Sequence, residues 1–282
     1  MIVPGSCGDE DLGLPDLMAV LDLEPLDAQL FRSQPAGEPG HRLFGGQVAA
    51  QALVAAERTT AEAARAHSLH AYFLRPGDTG QSVVFQVDPL QDGRTFSRRR
   101  VTAIQGGRPI LCLETSFTAD QATTDHQVSP PAVPDPDDCP PMVLRFRATG
   151  FRPDRAFDLR AAIGPEAGPP HFSDDLWFRT RGQWDGAPVR YGPVSQTAIL
   201  TYVSDVTFVS GILRPLGRPD VSRLTSLDHV MWFHNEPRVG DWTLFTKSTP
   251  ATGGLRGLAQ GSMFSRDGTI IATMAQEGLV HH

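Results

Sequence analysis

Two stretches of this 282-residue chain read alike, and the likeness restricts the fold more than any other feature. The first is His67-Ser-Leu-His-Ala-Tyr-Phe-Leu-Arg-Pro-Gly-Asp78. The second is Ser226-Leu-Asp-His-Val-Met-Trp-Phe-His234, followed by Pro237-Arg-Val-Gly-Asp241. Each goes on to a strand, a tight turn and a last strand. The turns are Gln105-Gly-Gly-Arg108 and Arg266-Asp-Gly268, both hairpin signals. Ile110 and Ile271 begin the matching last strands, 161 positions apart. A period that long is a duplicated domain rather than a solenoid.

A helix precedes the strands in each half. The first is expected from about Gly46 to Glu62, with Val48, Ala52, Ala56 and Thr59 on one side. Its small residues, Ala49, Ala50, Ala52, Ala55 and Ala56, let a sheet approach closely. The second is expected to open near Pro193, a good first-turn residue, and to run to about Phe208. Val194, Ala198, Ile199, Tyr202, Val203 and Val206 make it apolar nearly all round, which predicts burial. The fold class that follows is α+β: two antiparallel sheets, each wrapping a central helix, joined into one continuous sheet. Seven prolines between Ala119 and Pro153 cannot sustain a helix or a central strand. The chain therefore divides into an N-terminal unit (1–118), a Pro-rich linker (119–153) and a C-terminal unit (154–282). A second loose stretch is expected near Gly164 to Pro170.

Composition removes several functions. Lys plus Arg is 25 and Asp plus Glu is 32, a net charge of −7, which disfavours nucleic acid and anionic membrane surfaces as partners. Lys247 is the sole lysine. The three cysteines, Cys7, Cys112 and Cys139, are odd in number and lack metal-ligand spacing, which fits a reducing compartment. There is no run of 18 apolar residues, and Met1 to Glu10 lacks the pattern of a secretory signal, so a cytoplasmic location is expected. The chain contains no G-x-S-x-G, H-E-x-x-H, C-x-x-C or G-x-G-x-x-G, and its lysine follows Thr246 rather than glycine. Esterase elbows, common zinc sites, dinucleotide folds and P-loops lose their signatures, and neither metal nor cofactor is expected.

Three polar residues interrupt otherwise apolar elements. Asp205 sits on the almost wholly apolar second helix, on the Val194–Ala198–Thr201 side. Buried, it would need hydrogen-bond partners; at a helix end, it would simply face water. Gln276 ends the stripe Ile270, Ala272, Met274 on the last strand. Ser226 would share a strand face with Leu224, Asp228 and Val230. None means much singly. Together they fall at equivalent ends of three elements, where a carboxylate, a hydroxyl and an amide can meet around one water molecule.

Phe44-Gly-Gly-Gln-Val-Ala-Ala-Gln-Ala-Leu53, the His67–Asp78 stretch, Phe96-Ser-Arg-Arg-Arg-Val101, the Ser226–His234 stretch and Gln276-Glu-Gly278 together resemble the acyl-CoA thioesterase II family, from about Leu21 to Leu279. The resemblance implies a double hotdog fold and hydrolysis of fatty acyl-CoA to free acid and coenzyme A. The family's catalytic Asp, Thr or Ser, and Gln fall on Asp205, Ser226 and Gln276. The chemistry is consistent: a thioester carbonyl is electrophilic, and a thiolate, whose free thiol has a pKa of about 8.5, leaves with little help. Donors for the developing oxyanion are expected from backbone N–H groups around Gly46 and Gln47, where substrate would bind, although Gly45-Gly46 can equally serve only a tight turn and close helix–sheet contact. The resemblance also leaves two other classes open, a hotdog enoyl-CoA hydratase or dehydratase, which pairs an Asp with a His, and a non-catalytic acyl-CoA binder. Hotdog units associate through sheet edges, so a homodimer or homotetramer is expected.

Other polar candidates read as structural. His70 and His229 lie in nearly matching strands, where a histidine is usually a satisfied structural group. Asp228 and His229 are strand neighbours that point to opposite faces and so form no dyad. Arg98, Arg99 and Arg100 can reach coenzyme A phosphates, but the commoner pattern is a solvated face with one inward arginine paired to a carboxylate. Tyr72, Phe73, Trp232 and Phe233 are expected in the core.

Overall fold

The computed structural model describes residues 14–119, 126–142, 156–167, 170–171, 174–181, 190–191, 194–217 and 224–281. Cys7, the segment Met1 to Glu10, Pro193 and much of the 119–153 stretch lie outside the described residues. In chain order the elements are α1 (Leu14–Leu21), β1 (Glu24–Asp27), β2 (Leu30–Arg32), α2 (Gly45–Glu57), β3 (Arg65–Phe73), β4 (Val84–Asp92), β5 (Phe96–Gln105) and β6 (Arg108–Thr118). Then come β7 (Phe157–Ala161), β8 (Leu176–Thr180), β9 (Arg190–Tyr191), β10 (Val194–Ser195), α3 (Gln196–Ser204), β11 (Leu224–Ser226), β12 (Asp228–Phe233), β13 (Thr243–Gly253), β14 (Arg256–Ser265) and β15 (Ile270–Val280). One antiparallel sheet joins thirteen strands in the order β1-β2-β4-β5-β6-β3-β12-β15-β14-β13-β8-β7, with β11 added alongside β15; β9 and β10 pair separately.

That order is symmetric about the β3–β12 pair, so the repeats meet edge to edge and make one sheet. The symmetry extends to single hydrogen bonds. Leu74 and Arg75 both donate their N–H to the Ile110 carbonyl, as His234 and Asn235 do to that of Ile271. Each half wraps one buried helix, and α2 packs against α3. The architecture has the two sheet-wrapped helices that the repeat pattern predicts, and it is the double hotdog that the family resemblance implies. The Gly106-Gly107 turn has φ of 56° and 73°, the doubly left-handed backbone that a two-residue hairpin requires.

Both helices are shorter than expected. The first stops at Glu57 rather than Glu62, because Thr59 and Thr60 turn their hydroxyls back onto the carbonyls of Ala56 and Glu57 (2.8 and 2.9 Å). Arg99 completes that cap from the sheet. Its buried guanidinium donates to Thr59 Oγ1, the Thr59 carbonyl and Asp92, while Arg98 and Arg100 face outward. The second helix begins at Gln196, where the Ser195 hydroxyl accepts the Ala198 N–H (3.0 Å), and ends at Ser204 rather than Phe208.

The aromatic cluster differs more. Phe73 and Phe233 pack on the core, but Tyr72 is 63% and Trp232 41% exposed. Side chains alternate across a strand, so adjacent aromatics on β3 and β12 must point to opposite faces. His70 is likewise exposed, edge-on to Trp232. The described part of the proline-rich stretch packs against the second half. Trp177 donates its indole N–H to the Pro134 carbonyl, and Arg266 pairs with Asp135.

Candidate active site

The site forms where α3 ends against the start of α2. The two helices run antiparallel, so the C-terminus of α3 meets the N-terminus of α2. Asp205 is the residue that caps α3. It does not face water: it is 9% exposed, and its Oδ2 accepts the backbone N–H of Gly46 at 2.7 Å. That carboxylate also gains from the positive end of the α2 dipole. Gly46 permits the approach. A Cβ there would lie 2.5 Å from the Tyr202 carbonyl oxygen and 2.9 Å from Asp205 Cβ. Gly46→Ala is therefore expected to force the helices apart and to cost about 2 kcal/mol in urea unfolding, despite alanine's better helix propensity. An unchanged midpoint would show that the contact is soft.

Gln276 arrives from the other side. The inward stripe of β15 carries it to the same place, wholly buried. Its Nε2 donates to Asp205 Oδ1 (2.8 Å) and to Ser226 Oγ (2.7 Å). The three singled-out side chains thus converge as expected, linked through one amide. Their surroundings fix the electrostatics. Burial drives the Asp205 pKa from 3.8 up to about 6, against the opposing hydrogen bonds from Gln276 and Gly46. Among the described residues no group of three His, Cys, Asp or Glu stands close enough to hold a metal ion.

Ser226 reaches Gln276 by a departure from regular strand geometry. One unbroken strand would put Leu224, Ser226, Asp228 and Val230 on one face. Instead β11 ends at Ser226 and β12 starts at Asp228, with Leu227 between them. Leu227 donates its N–H to the Glu277 carbonyl and accepts that of Phe73. The break lets Ser226 and His229, three apart and on opposite faces of a regular strand, both contact Gln276. Asp228 turns away and accepts the Glu277 N–H (2.7 Å), so it makes no dyad with His229.

Two further buried groups border the trio: His229, a hydrogen-bonded strand histidine as expected, and Lys247, whose burial no sequence pattern marked. His229 is 0% exposed, with Nδ1 3.0 Å from Gln276 Oε1 and Nε2 2.8 Å from Ser204 Oγ. Burial lowers its pKa to about 4. Lys247 is buried beside the turn that follows Asp205. Its Nζ donates to Thr207 Oγ1 (2.9 Å), and Thr207 adopts φ of 63°, a costly backbone for a β-branched residue. Burial lowers the Lys247 pKa to about 7.

The pseudo-symmetry makes a second such place, at the opposite end of the helix pair, but its residues differ. There Glu57 accepts from the Ser195 hydroxyl at 2.8 Å. The β3–β12 register sets Leu69 against Met231 and Ala71 against His229, so two-fold exchange makes Leu69 the counterpart of His229. Leu69 pairs with Thr115, which stands for Gln276, and Ala66 pairs with Phe117 as Ser226 does with Gly278. The hydroxyl, amide and imidazole are thus replaced by Ala66, Thr115 and Leu69. His70 corresponds to no part of the trio and faces outward.

Comparison with known proteins identifies the family. Residues 33–119 match the family model for the acyl-CoA thioesterase N-terminal domain, and residues 136–280 match the model for the C-terminal domain. Acyl-coenzyme A thioesterase 8 of Homo sapiens is 36% identical, over 97% of this chain and 93% of its own length. Acyl-CoA thioesterase 2 of Haemophilus influenzae is 33% identical, over 95% and 97%. The solved structure of the tesB protein of Mycobacterium avium subs paratuberculosis superposes with a TM-score of 0.79 at 32% identity, covering 96% of this chain and all of that one. With both domain models matched in order and relatives of 33–36% identity covered over most of their length, the chain belongs to the acyl-CoA thioesterase family.

Proposed function

We propose that the chain hydrolyses fatty acyl-CoA to the free acid and coenzyme A by direct attack of a water molecule held by Asp205, Ser226 and Gln276. The observation that carries this reading is the single Gln276 Nε2 bridging Asp205 Oδ1 and Ser226 Oγ. A carboxylate has about four acceptor positions, and two on Asp205 are taken by Gly46 and Gln276, leaving room for a water proton. The Ser226 oxygen accepts from Gln276, so its own proton is directed elsewhere, onto the water or the carbonyl. The water oxygen attacks the thioester carbon and the carbon–sulfur bond breaks. The proton taken by Asp205 passes to the departing sulfur. The Gly46 N–H holds the base, and the neighbouring first-turn N–H of Gln47 supplies the oxyanion contact. A hydratase would need an Asp–His pair, whereas Gln276 stands between Asp205 and His229.

The experiment is release of free thiol from a series of acyl-CoA thioesters, with enoyl-CoA hydration followed in parallel. Thiol release is expected; hydration alone, or binding with no turnover, would overturn the reading. Asp205 must be ionised to act, so kcat/KM is expected to rise through about pH 6 and then level. A limb centred below pH 5 would assign the base to another group. No helix among the described residues is long and apolar enough to cross a membrane. We place the protein in the cytoplasm on its cysteine content, and expect a homodimer or homotetramer in sedimentation. The exposed Tyr72 and Trp232 support self-association.

A further inference from the structure

We infer that Lys247 is a positioning residue: its buried ammonium holds Thr207 in a left-handed turn, and that turn sets where the Asp205 carboxylate stands. The inference rests on the hydrolytic reading above. Asp205 has to meet two donors that belong to other elements, the Gly46 N–H on α2 (2.7 Å) and Gln276 Nε2 on β15 (2.8 Å). Being the residue that caps α3, it is held by the helix on one side only. Its place therefore depends on how the chain leaves the helix.

The chain leaves toward a short 3₁₀ helix (Val209–Leu213) that lies directly on β14 and β15. Two close approaches fix that seat: a Cβ on Gly257 would stand 2.2 Å from Ile212 Cγ2, and one on Gly278 would stand 2.4 Å from Val209 Cγ2. Gly278 pairs with Ser226 across β15 and β11, so the seat adjoins the trio. Val206, Thr207 and Phe208 link Asp205 to this fixed segment, and the reversal falls on Thr207, with φ of 63°. A β-branched residue resists that backbone. What offsets the resistance lies largely outside the turn. Lys247 Nζ donates to Thr207 Oγ1 at 2.9 Å, while Ser210 donates its N–H (3.2 Å) and its hydroxyl (2.5 Å) to the Thr207 carbonyl. Lys247 is itself fixed on β13. Its backbone N–H goes to Asp175 Oδ1 (2.8 Å), and its Nζ lies 5.7 Å from the centre of the Phe245 ring. The charged groups that act on the ammonium are Asp175, Asp174 and Arg214. Glycine would take the left-handed turn unaided. Threonine takes it with a hydroxyl by which the sheet can hold it.

An independent observation comes from the other repeat, where the same path leads to a different residue. Lys247 pairs with Gly261, and Gly261 with Met274, the inward neighbour of Gln276 on β15. In the first repeat Leu113 stands for Met274, as Thr115 does for Gln276. Leu113 pairs with Val101, and Val101 with Val87. The counterpart of Lys247 is thus Val87, buried and apolar. The residues between α2 and β3, all described, include none with positive φ. The lysine and the left-handed turn occur together in the half that carries the trio, and both are absent at the matching places of the other half.

The test compares two substitutions that remove the same hydroxyl. Thr207→Ala loses the anchor and keeps a Cβ that disfavours the left-handed backbone; Thr207→Gly loses the anchor but adopts the turn freely. If only a hydrogen bond or packing mattered, glycine would be at least as harmful as alanine. Thr207→Ala is expected to lower kcat about tenfold with KM changed less than about threefold, and Thr207→Gly to keep kcat within about threefold, the scale of a slightly misplaced catalytic group. The acid limb of kcat/KM is the second readout. Drawn away from Gly46 and Gln276, Asp205 loses the donors that hold its pKa down, so the limb moves to higher pH in Thr207→Ala and stays in place in Thr207→Gly. Lys247→Met keeps the apolar stem and removes the ammonium. It is expected to lower kcat about tenfold in the parent, and less than about threefold when Thr207 is already glycine. An ammonium acting on Asp205 by charge alone would show the same loss in both backgrounds. If Lys247→Met fails to fold, the alanine and glycine variants decide the matter. Equal loss in Thr207→Ala and Thr207→Gly, full activity in Thr207→Ala, or an equal effect of Lys247→Met in both backgrounds would overturn the positioning role. Asp205→Asn separates this from the parent reading: if it is active, the hydrolytic reading itself falls. If it is dead while Thr207→Ala matches the parent, only the positioning role falls.

Discussion

Asp205→Asn is expected to lower kcat/KM at pH 7.5 by at least about a thousandfold, roughly 4 kcal/mol of barrier. The substitution is nearly isosteric, so the loss reports chemistry. Two donors, the Gly46 N–H and Gln276 Nε2, now converge on this side chain, and an amide offers one oxygen. One donor therefore faces an NH2, and the proton acceptor is gone. The stability consequence has a definite sign. A carboxyl whose pKa is about 6 in the native state and 3.8 in the unfolded chain binds protons more tightly when folded. Its contribution is fully favourable below about pH 4. It is lost as pH rises toward 6, and ionisation above that costs the native state about 3 kcal/mol. Asp205→Asn should abolish that fall. A buried donor left unpaired costs about 1–3 kcal/mol in the other direction, so stability at neutral pH should change little. Urea unfolding at pH 4, 5, 6 and 7 checks the slope, and thiol release checks the rate. Undiminished turnover would end the mechanism.

Gln276→Ala is expected to damage both activity and fold. It removes the donor to Asp205, the donor to Ser226 and the acceptor for His229 in one step. Two buried groups, the Asp205 carboxylate and the His229 imidazole, are left short of partners, and a cavity opens beside them. A loss of about 3 kcal/mol in urea unfolding follows from those terms. The rate should fall by about a hundredfold or more, because Ser226 and the water lose their common reference. Without its donor the Asp205 pKa moves further up, so residual activity should recover toward alkaline pH. A variant as stable and active as the parent would show that the amide is incidental.

Much of this protein is legible in one dimension. The repeat at 161 positions exposes the duplication, and the inward stripe Ile270–Ala272–Met274–Gln276 places the amide on the core face because side chains alternate along a strand. Asp205 stands out because a carboxylate follows an apolar helix. Those signals are local and periodic. The ends of the helices were less legible, since Thr59, Thr60 and Arg99 stop α2 through side-chain bonds that no periodicity carries. The aromatic run of β3 and β12 reads as core by composition, although alternation sends Tyr72 and Trp232 outward.

Residue pattern alone was enough for a duplicated unit of helix and antiparallel sheet with three polar residues near one end, because repetition and alternation are properties of neighbours along the chain. It could not say that the first repeat supplies Gly46 to hold a carboxylate of the second, 159 residues away, or that a break at Leu227 swings Ser226 onto the face of His229. Those contacts exist because antiparallel helices and a shared sheet bring distant segments within hydrogen-bond reach. Burial there, rather than residue type, raises one carboxyl toward neutrality and keeps one histidine uncharged.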